Sequence, residues 1–262
     1  MPIPYFDPTA TTFSLGNAYY FALASSAAYT SNPGPALTGF NLSAPVQTCA
    51  ANNLSAFVAS GNANADLIVA FRGTNNIPNW LTDGCIEQVA DNAYPGKVHK
   101  GFAQTMNDLW PLISAKLPHT SSARVWVTGH SLGGAMATLA ALRLATEGLD
   151  VRGVYTFGSP RVGNDEFYAK YSVPHYRLVN NNDVVPHVPL ETTLVGLRLF
   201  TYKHVGTLEY LDRNGLLGGG MSNWDVKKAF MIDALLRAGG PWPEAAADHF
   251  IRNYIAAIEA NF

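Results

Sequence analysis

The sequence predicts an α/β fold: a mostly parallel central sheet with antiparallel N-terminal strands and helices on both faces. Three observations carry this. From Arg124 onward, short apolar runs alternate with segments of helical period in βαβαβ order, the pattern of parallel strands joined by crossover helices. Upstream, three short apolar runs are separated only by Asn-Asn and Gly-Asn-Ala-Asn turns, which suits antiparallel strands. Finally, 48% of the residues are apolar and only 14% charged, so the chain can fill a large core.

In chain order, residues 14–29 place Leu15, Tyr19, Ala22 and Leu23 at helical spacing, with Ser14 as N-cap and Asn32-Pro33-Gly34-Pro35 as the stop. Strands are expected at 46–50, 54–60 and 67–71. A helix follows Gly101, with Phe102, Met106, Leu109, Leu112 and Ile113 spaced by three and four and Pro111 as a point of kinking. Strand 124–128, helix 135–147, strand 151–157, helix 165–171 and strand 175–179 make the alternating unit. A further strand at 199–205, an amphipathic helix at 225–237 and a last helix from about 249 to 260 complete one domain over residues 1–262.

Composition excludes several classes of function. Seventeen basic against nineteen acidic side chains leave a net charge of -2, without the field that draws a protein to nucleic acid. No apolar run approaches the ~20 residues of a membrane span. Residues 1–12 lack the basic and apolar regions of a signal peptide, so the expectation is either a cytoplasmic chain or one whose signal is already gone. Cys49 and Cys85 are read as free thiols, with one bridge as the alternative, and no metal-ligand spacing occurs.

In open α/β sheets chemistry sits beyond the carboxyl ends of the strands. There, Gly129-His130-Ser131-Leu132-Gly133 fits GxSxG between the strand RVWVT and the helix AMATLAALRLA, the setting of a nucleophile elbow. A serine hydroxyl needs a base, and the base an orienting anion, further along the chain. Asp183, in the loop after strand 175–179, is the acid candidate; Asp165 and Glu166 are read as complementing a helix dipole. Of seven histidines, His99, His119, His130 and His175 precede the position a base requires, while His187 and His204 are read as structural. His249, at the mouth of the last helix, is the candidate base.

FRGT at 71–74, VHKGF at 98–102, GHSLGGA at 129–135, TFGSPRVGN at 156–164, NDVVPHVP at 182–189 and DH at 248–249 occur in order. Together they resemble the class 3 lipases, α/β-hydrolases that include fungal triacylglycerol lipases and feruloyl esterases, over roughly residues 14–260. The resemblance implies a triad of Ser131, Asp183 and His249 and an oxyanion hole at Thr74 and the Leu132 amide. Physical reasoning asks for the same pair of donors, one following the nucleophile and one from a loop after a neighbouring strand. It also implies a lid at about 76–90, where Ile77, Trp80, Leu81 and Ile86 supply apolar, substrate-binding surface. Fungal members usually carry several disulfides, so two cysteines point to a bacterial or intracellular relative.

The expected function is carboxylic-ester hydrolysis by a monomer without cofactor, acting on a lipid or other ester at a lipid–water interface. The apolar lid favours a triacylglycerol lipase over a feruloyl or short-chain esterase. A non-catalytic lipase-like binding protein is the alternative of another class, against which the complete set Ser131, Asp183 and His249 argues.

Overall fold

The computed structural model describes residues 6–52, 54–74, 86–117, 122–218 and 244–262. Its seven-stranded sheet has the order β1-β2-β3-β6-β7-β8-β11, formed by Gln47–Ala51, Leu54–Gly61, Asp66–Phe71, Arg124–His130, Asp150–Phe157, His175–Asn180 and Thr207–Leu211. The β1-β2 and β2-β3 pairs are antiparallel and the remaining four parallel. Between these strands lie β4 (Gln88–Val89) paired with β5 (Val98–His99), and the hairpin of β9 (Thr192–Val195) with β10 (Arg198–Thr201).

Strand alternation divides the core between the two faces. Leu67, Val69, Phe71, Val125 and Val127 point to the layer that holds Met106, Leu109, Met136 and Leu139. Ile68, Ala70, Trp126, Tyr155 and Phe157 point to the other, where Phe21 stacks on Trp126 and Tyr155 with centroids 5.6 and 5.1 Å apart. Helices α1 (Leu15–Ala27) and α5 (Ile251–Glu259) cover this aromatic face; α2 (Lys100–Ser114) and α3 (Leu132–Thr146) cover the first. Asp66, wholly buried, meets Arg124 opposite it through two bonds of 2.7 and 2.8 Å and fixes the β3-β6 register.

Most predicted elements stand within a residue or two. Ser14 caps α1 by accepting from the Asn17 amide, α2 runs through Pro111 to Ser114, and α4 (Asp165–Lys170) is capped by Asn164. Leu112 is exposed rather than part of the core. Helix α3 begins at Leu132 and not at 135, because Gly133 and Gly134 are packing requirements rather than helix breakers. A Cβ at Gly133 would lie 2.3 Å from the Phe71 carbonyl oxygen, and one at Gly134 2.6 Å from the Ser159 Cβ.

The expected strand at 199–205 is corrected. It ends at Thr201 in the hairpin, Tyr202 is fully buried, and Gly206 (φ +79°) turns the chain into β11, which the sequence reading missed. His204 therefore lies outside any strand and bonds through Nε2 to the Pro186 carbonyl at 2.6 Å. Most of the predicted lid, with Ile77, Trp80 and Leu81, lies outside the described residues, as do Cys85, His119 and the expected helix at 225–237. No helix among the described residues is long and apolar enough to cross a membrane.

Candidate active site

Strand β6 delivers Ser131 into a sharp turn before α3, with φ +60° and ψ −130° in a non-glycine residue. The turn exists because its neighbours have no side chains. A Cβ at Gly129 would meet the Gly133 carbonyl oxygen at 2.2 Å, and one at Gly73 would meet the His130 carbonyl oxygen at 2.6 Å. Ser131 caps the helix in position only, since its side chain makes no capping bond. Its Oγ is buried and has no hydrogen-bond partner among the described residues.

The loop after β8 brings Asp183 to His249, 66 residues later. Nδ1 of His249 lies 2.8 Å from both carboxylate oxygens, and the two side chains are 1% and 0% exposed. A carboxylate only accepts, so Nδ1 carries the proton and Nε2 is left with its lone pair. That Nε2 is the second buried polar atom of the site with no partner among the described residues. Gly158 (φ +60°) makes room for the pair: a Cβ there would lie 2.5 Å from Asp183 Oδ2 and 2.9 Å from His249 Nδ1.

Burial by itself raises the Asp183 carboxyl. The electrostatic attraction of the adjacent His249 ring, its hydrogen bond, the Tyr254 hydroxyl at 2.5 Å and the Val185 amide at 2.9 Å outweigh burial and hold it below the ordinary carboxylate range. Tyr254, buried on α5, is raised well above the usual phenol value by burial and by Asp183, and stays a donor. It also receives the Asn180 amide at 3.1 Å. Asp248 clips the adjoining loop: its Oδ2 accepts from Asn181 Nδ2 at 2.9 Å and from the Asn182 amide at 3.2 Å.

Sequence reasoning set His130 aside as a base, and the geometry gives it other partners. Its Nε2 donates to the His249 carbonyl at 2.6 Å and its Nδ1 accepts from the Tyr29 hydroxyl at 2.8 Å. Burial, then His249, push its pKa down to about 3, so the ring is neutral. His99 caps α2, His175 lies between Thr156 and Tyr171, and the His187 carbonyl accepts from Arg161. Tyr254 and Tyr29 were missed, and Asp248 was read only as part of the DH motif. A signal existed for Tyr254, which falls on the buried stripe of α5 with Ile258.

Thr74 lies just after β3, in a segment that touches the elbow, since a Cβ at Gly73 would stand 3.1 Å from Ser131 Cβ. Leu132 is the first residue of α3, a position whose amide has no acceptor within the helix. Ile86 is buried and its carbonyl accepts from the Tyr202 hydroxyl at 3.1 Å, while Gln88–Val89 pairs with Val98–His99. The end of the predicted 76–90 segment is thus tied down.

Comparison with known proteins finds lipases both by sequence and by structure. The family model "Lipase (class 3)" matches residues 68–193, which include Ser131 and Asp183. A lipase of Rhizomucor miehei is 40% identical over 148 residues, covering 52% of this chain and 40% of that protein. The secreted mono- and diacylglycerol lipase 1 of Fusarium solani is 35% identical over 167 residues, covering 61% and 48%. The match thus spans less than half the length of either relative. Among solved structures, a lipase from Rhizopus microsporus var. chinensis superimposes with a TM-score of 0.60 at 28% identity, over 80% of this chain and 79% of that one. A triacylglycerol lipase described as having a serine protease triad as its catalytic centre reaches 0.64 at 29% identity, over 79% and 84%. Residues 68–193 of this chain thus match the class 3 lipase family in sequence, and its fold is the α/β-hydrolase fold of the lipases it superimposes on.

Proposed function

We propose that this chain is a serine hydrolase of lipid carboxylic esters, with Ser131 as nucleophile, His249 as general base and acid, and Asp183 as the orienting carboxylate. One observation carries the reading: Ser131 Oγ and His249 Nε2 are both buried and without a hydrogen-bond partner among the described residues, while His249 Nδ1 is committed to Asp183. A buried orphan hydroxyl and a buried orphan lone pair are costly unless they serve a reacting group.

In this mechanism His249 Nε2 takes the Ser131 proton as Oγ bonds to the acyl carbon. The negative charge on the carbonyl oxygen is met by the amides of Thr74 and Leu132. Collapse breaks the ester C–O bond, and His249 returns the proton to the leaving alkoxide. Water then attacks the acyl-serine and gives a proton to Nε2, which passes it to Ser131 Oγ as the acyl C–Oγ bond breaks, releasing the acid and the free serine. The relatives named above are lipases, which supports glycerides over feruloyl esters as substrates. Tributyrin hydrolysis together with fluorophosphonate labelling tests this; an unlabelled protein without esterase activity overturns it and favours a binding protein on the same fold.

A further inference from the structure

The β9-β10 hairpin carries a run of exposed large apolar side chains. Leu197 at its turn is fully exposed, and Leu194, Leu199 and Val195 are 67%, 63% and 54% exposed. Single exposed leucines are ordinary, but four large apolar side chains within six residues form a patch. A two-stranded ribbon alone is marginal in water, and this one stands apart from the central sheet.

Its base, by contrast, is well held. Arg161 Nη1 donates to the Pro189 carbonyl at 2.9 Å, the Tyr202 amide donates to the Glu191 carbonyl at 2.9 Å, and Gln88 Nε2 donates to the Thr201 carbonyl at 2.6 Å. Eight residues connect Asp183 to the first hairpin strand, and bonds from Gln88 to the Thr201 carbonyl and from Tyr202 to the Ile86 carbonyl hold the end of the second.

We propose that this hairpin is a lipid anchor, inserted into the surface of an ester-lipid phase to hold the active site against it; this rests on the lipid-ester reading above. The register decides between a lipid phase and a protein partner. Leu194 and Leu199 are a cross-strand pair on one face, Val195 and Arg198 share the other, and Leu197 sits on the turn. A protein surface covers one face of a ribbon, whereas these side chains are all buried only in a medium that surrounds the tip. No acidic residue lies between Thr192 and Lys203, and Arg198 offers its cation to the phosphate or carboxylate oxygens of the interface.

The test uses Ser131→Ala protein, which leaves the lipid intact, in flotation with phosphatidylcholine vesicles with and without phosphatidylglycerol. The expected result is co-flotation that weakens about tenfold or more in the Leu194→Ser/Leu197→Ser variant and strengthens in Leu197→Trp. Arg198→Ser should weaken binding only where phosphatidylglycerol is present. On the active protein, Leu197→Ser should leave p-nitrophenyl butyrate hydrolysis unchanged, with circular dichroism confirming the fold. Equal flotation of the double variant, no flotation of the parent, or a dimer in sedimentation that the double variant abolishes would each overturn the anchor. Flotation without esterase activity leaves the anchor standing and removes the hydrolase reading instead.

Discussion

His130 Nε2 donates to the backbone carbonyl of His249 across 2.6 Å, with the two rings 4.6 Å apart. The residue before the candidate nucleophile thereby holds the main chain of the candidate base, and Tyr29 holds His130 from behind. The site is a closed set of hydrogen bonds from β6, the Asp183 loop and α5, so single changes within it have different and predictable consequences.

Ser131→Ala should abolish fluorophosphonate labelling while leaving the fold intact, because it removes one oxygen that has no hydrogen-bond partner among the described residues. His249→Ala should cost about a thousandfold or more in turnover. His187→Ala should retain labelling, since both carboxylate oxygens of Asp183 already face His249 Nδ1. A correctly folded His187→Ala protein that no longer labels would transfer the base to that residue.

Tyr254→Phe removes the donor at 2.5 Å from Asp183 Oδ2 and the acceptor of the Asn180 amide. A hydrogen bond to a charged group is worth about 1.5 to 3 kcal/mol, so a stability loss of that order is expected in urea titration. Turnover should fall as well, because Oδ2 then keeps only its bond to His249. An unchanged unfolding midpoint would show that the bond contributes nothing net.

Gly158→Ala should damage the site out of proportion to its size. The new Cβ would lie 2.5 Å from Asp183 Oδ2, and φ +60° adds strain. Gly148→Ala is the control: its φ is +88° but nothing lies within 4 Å, so it should cost stability, about 1 kcal/mol, without affecting turnover. Equal kinetics in both variants would argue against crowding of the His249–Asp183 pair.

Stability should fall as pH drops through the imidazole range. Burial, with His249 for His130 and Arg177 for His175, lowers both folded pKa values to about 3, whereas an unfolded imidazole titrates near 6.5. Between about 6.5 and about 3 the unfolded chain therefore binds protons that the folded chain refuses, and the folded state loses ground as pH falls. Asp183, lowered on folding, adds a loss of the same sign at lower pH. Denaturant midpoints at pH 7, 5.5 and 4.5 should decline in order, and His175→Gln should flatten that decline. A midpoint constant down to pH 4.5 would mean that neither ring is held neutral.

What the chain reveals by itself is what short-range physics encodes. Alternation in DLIVAF and RVWVT, helical spacing around Met106 and the strand-turn-helix context of GHSLGG depend on neighbours a few residues apart, and they were legible. The chain order Ser131, Asp183, His249 was legible for the same reason, since each candidate follows its own element. Tertiary structure decided the rest. Tyr29, His130 and Tyr254 act through bonds spanning 101, 119 and 71 residues, and no local pattern distinguishes such a tyrosine from one that only fills the core. The run LRLFTYKHV reads as one strand until the burial of Tyr202 and the turn at Gly206 assign its first half to an exposed hairpin and leave β11 to complete the sheet. Periodicity tells a residue which face it occupies, but only the assembled sheet determines what stands opposite that face.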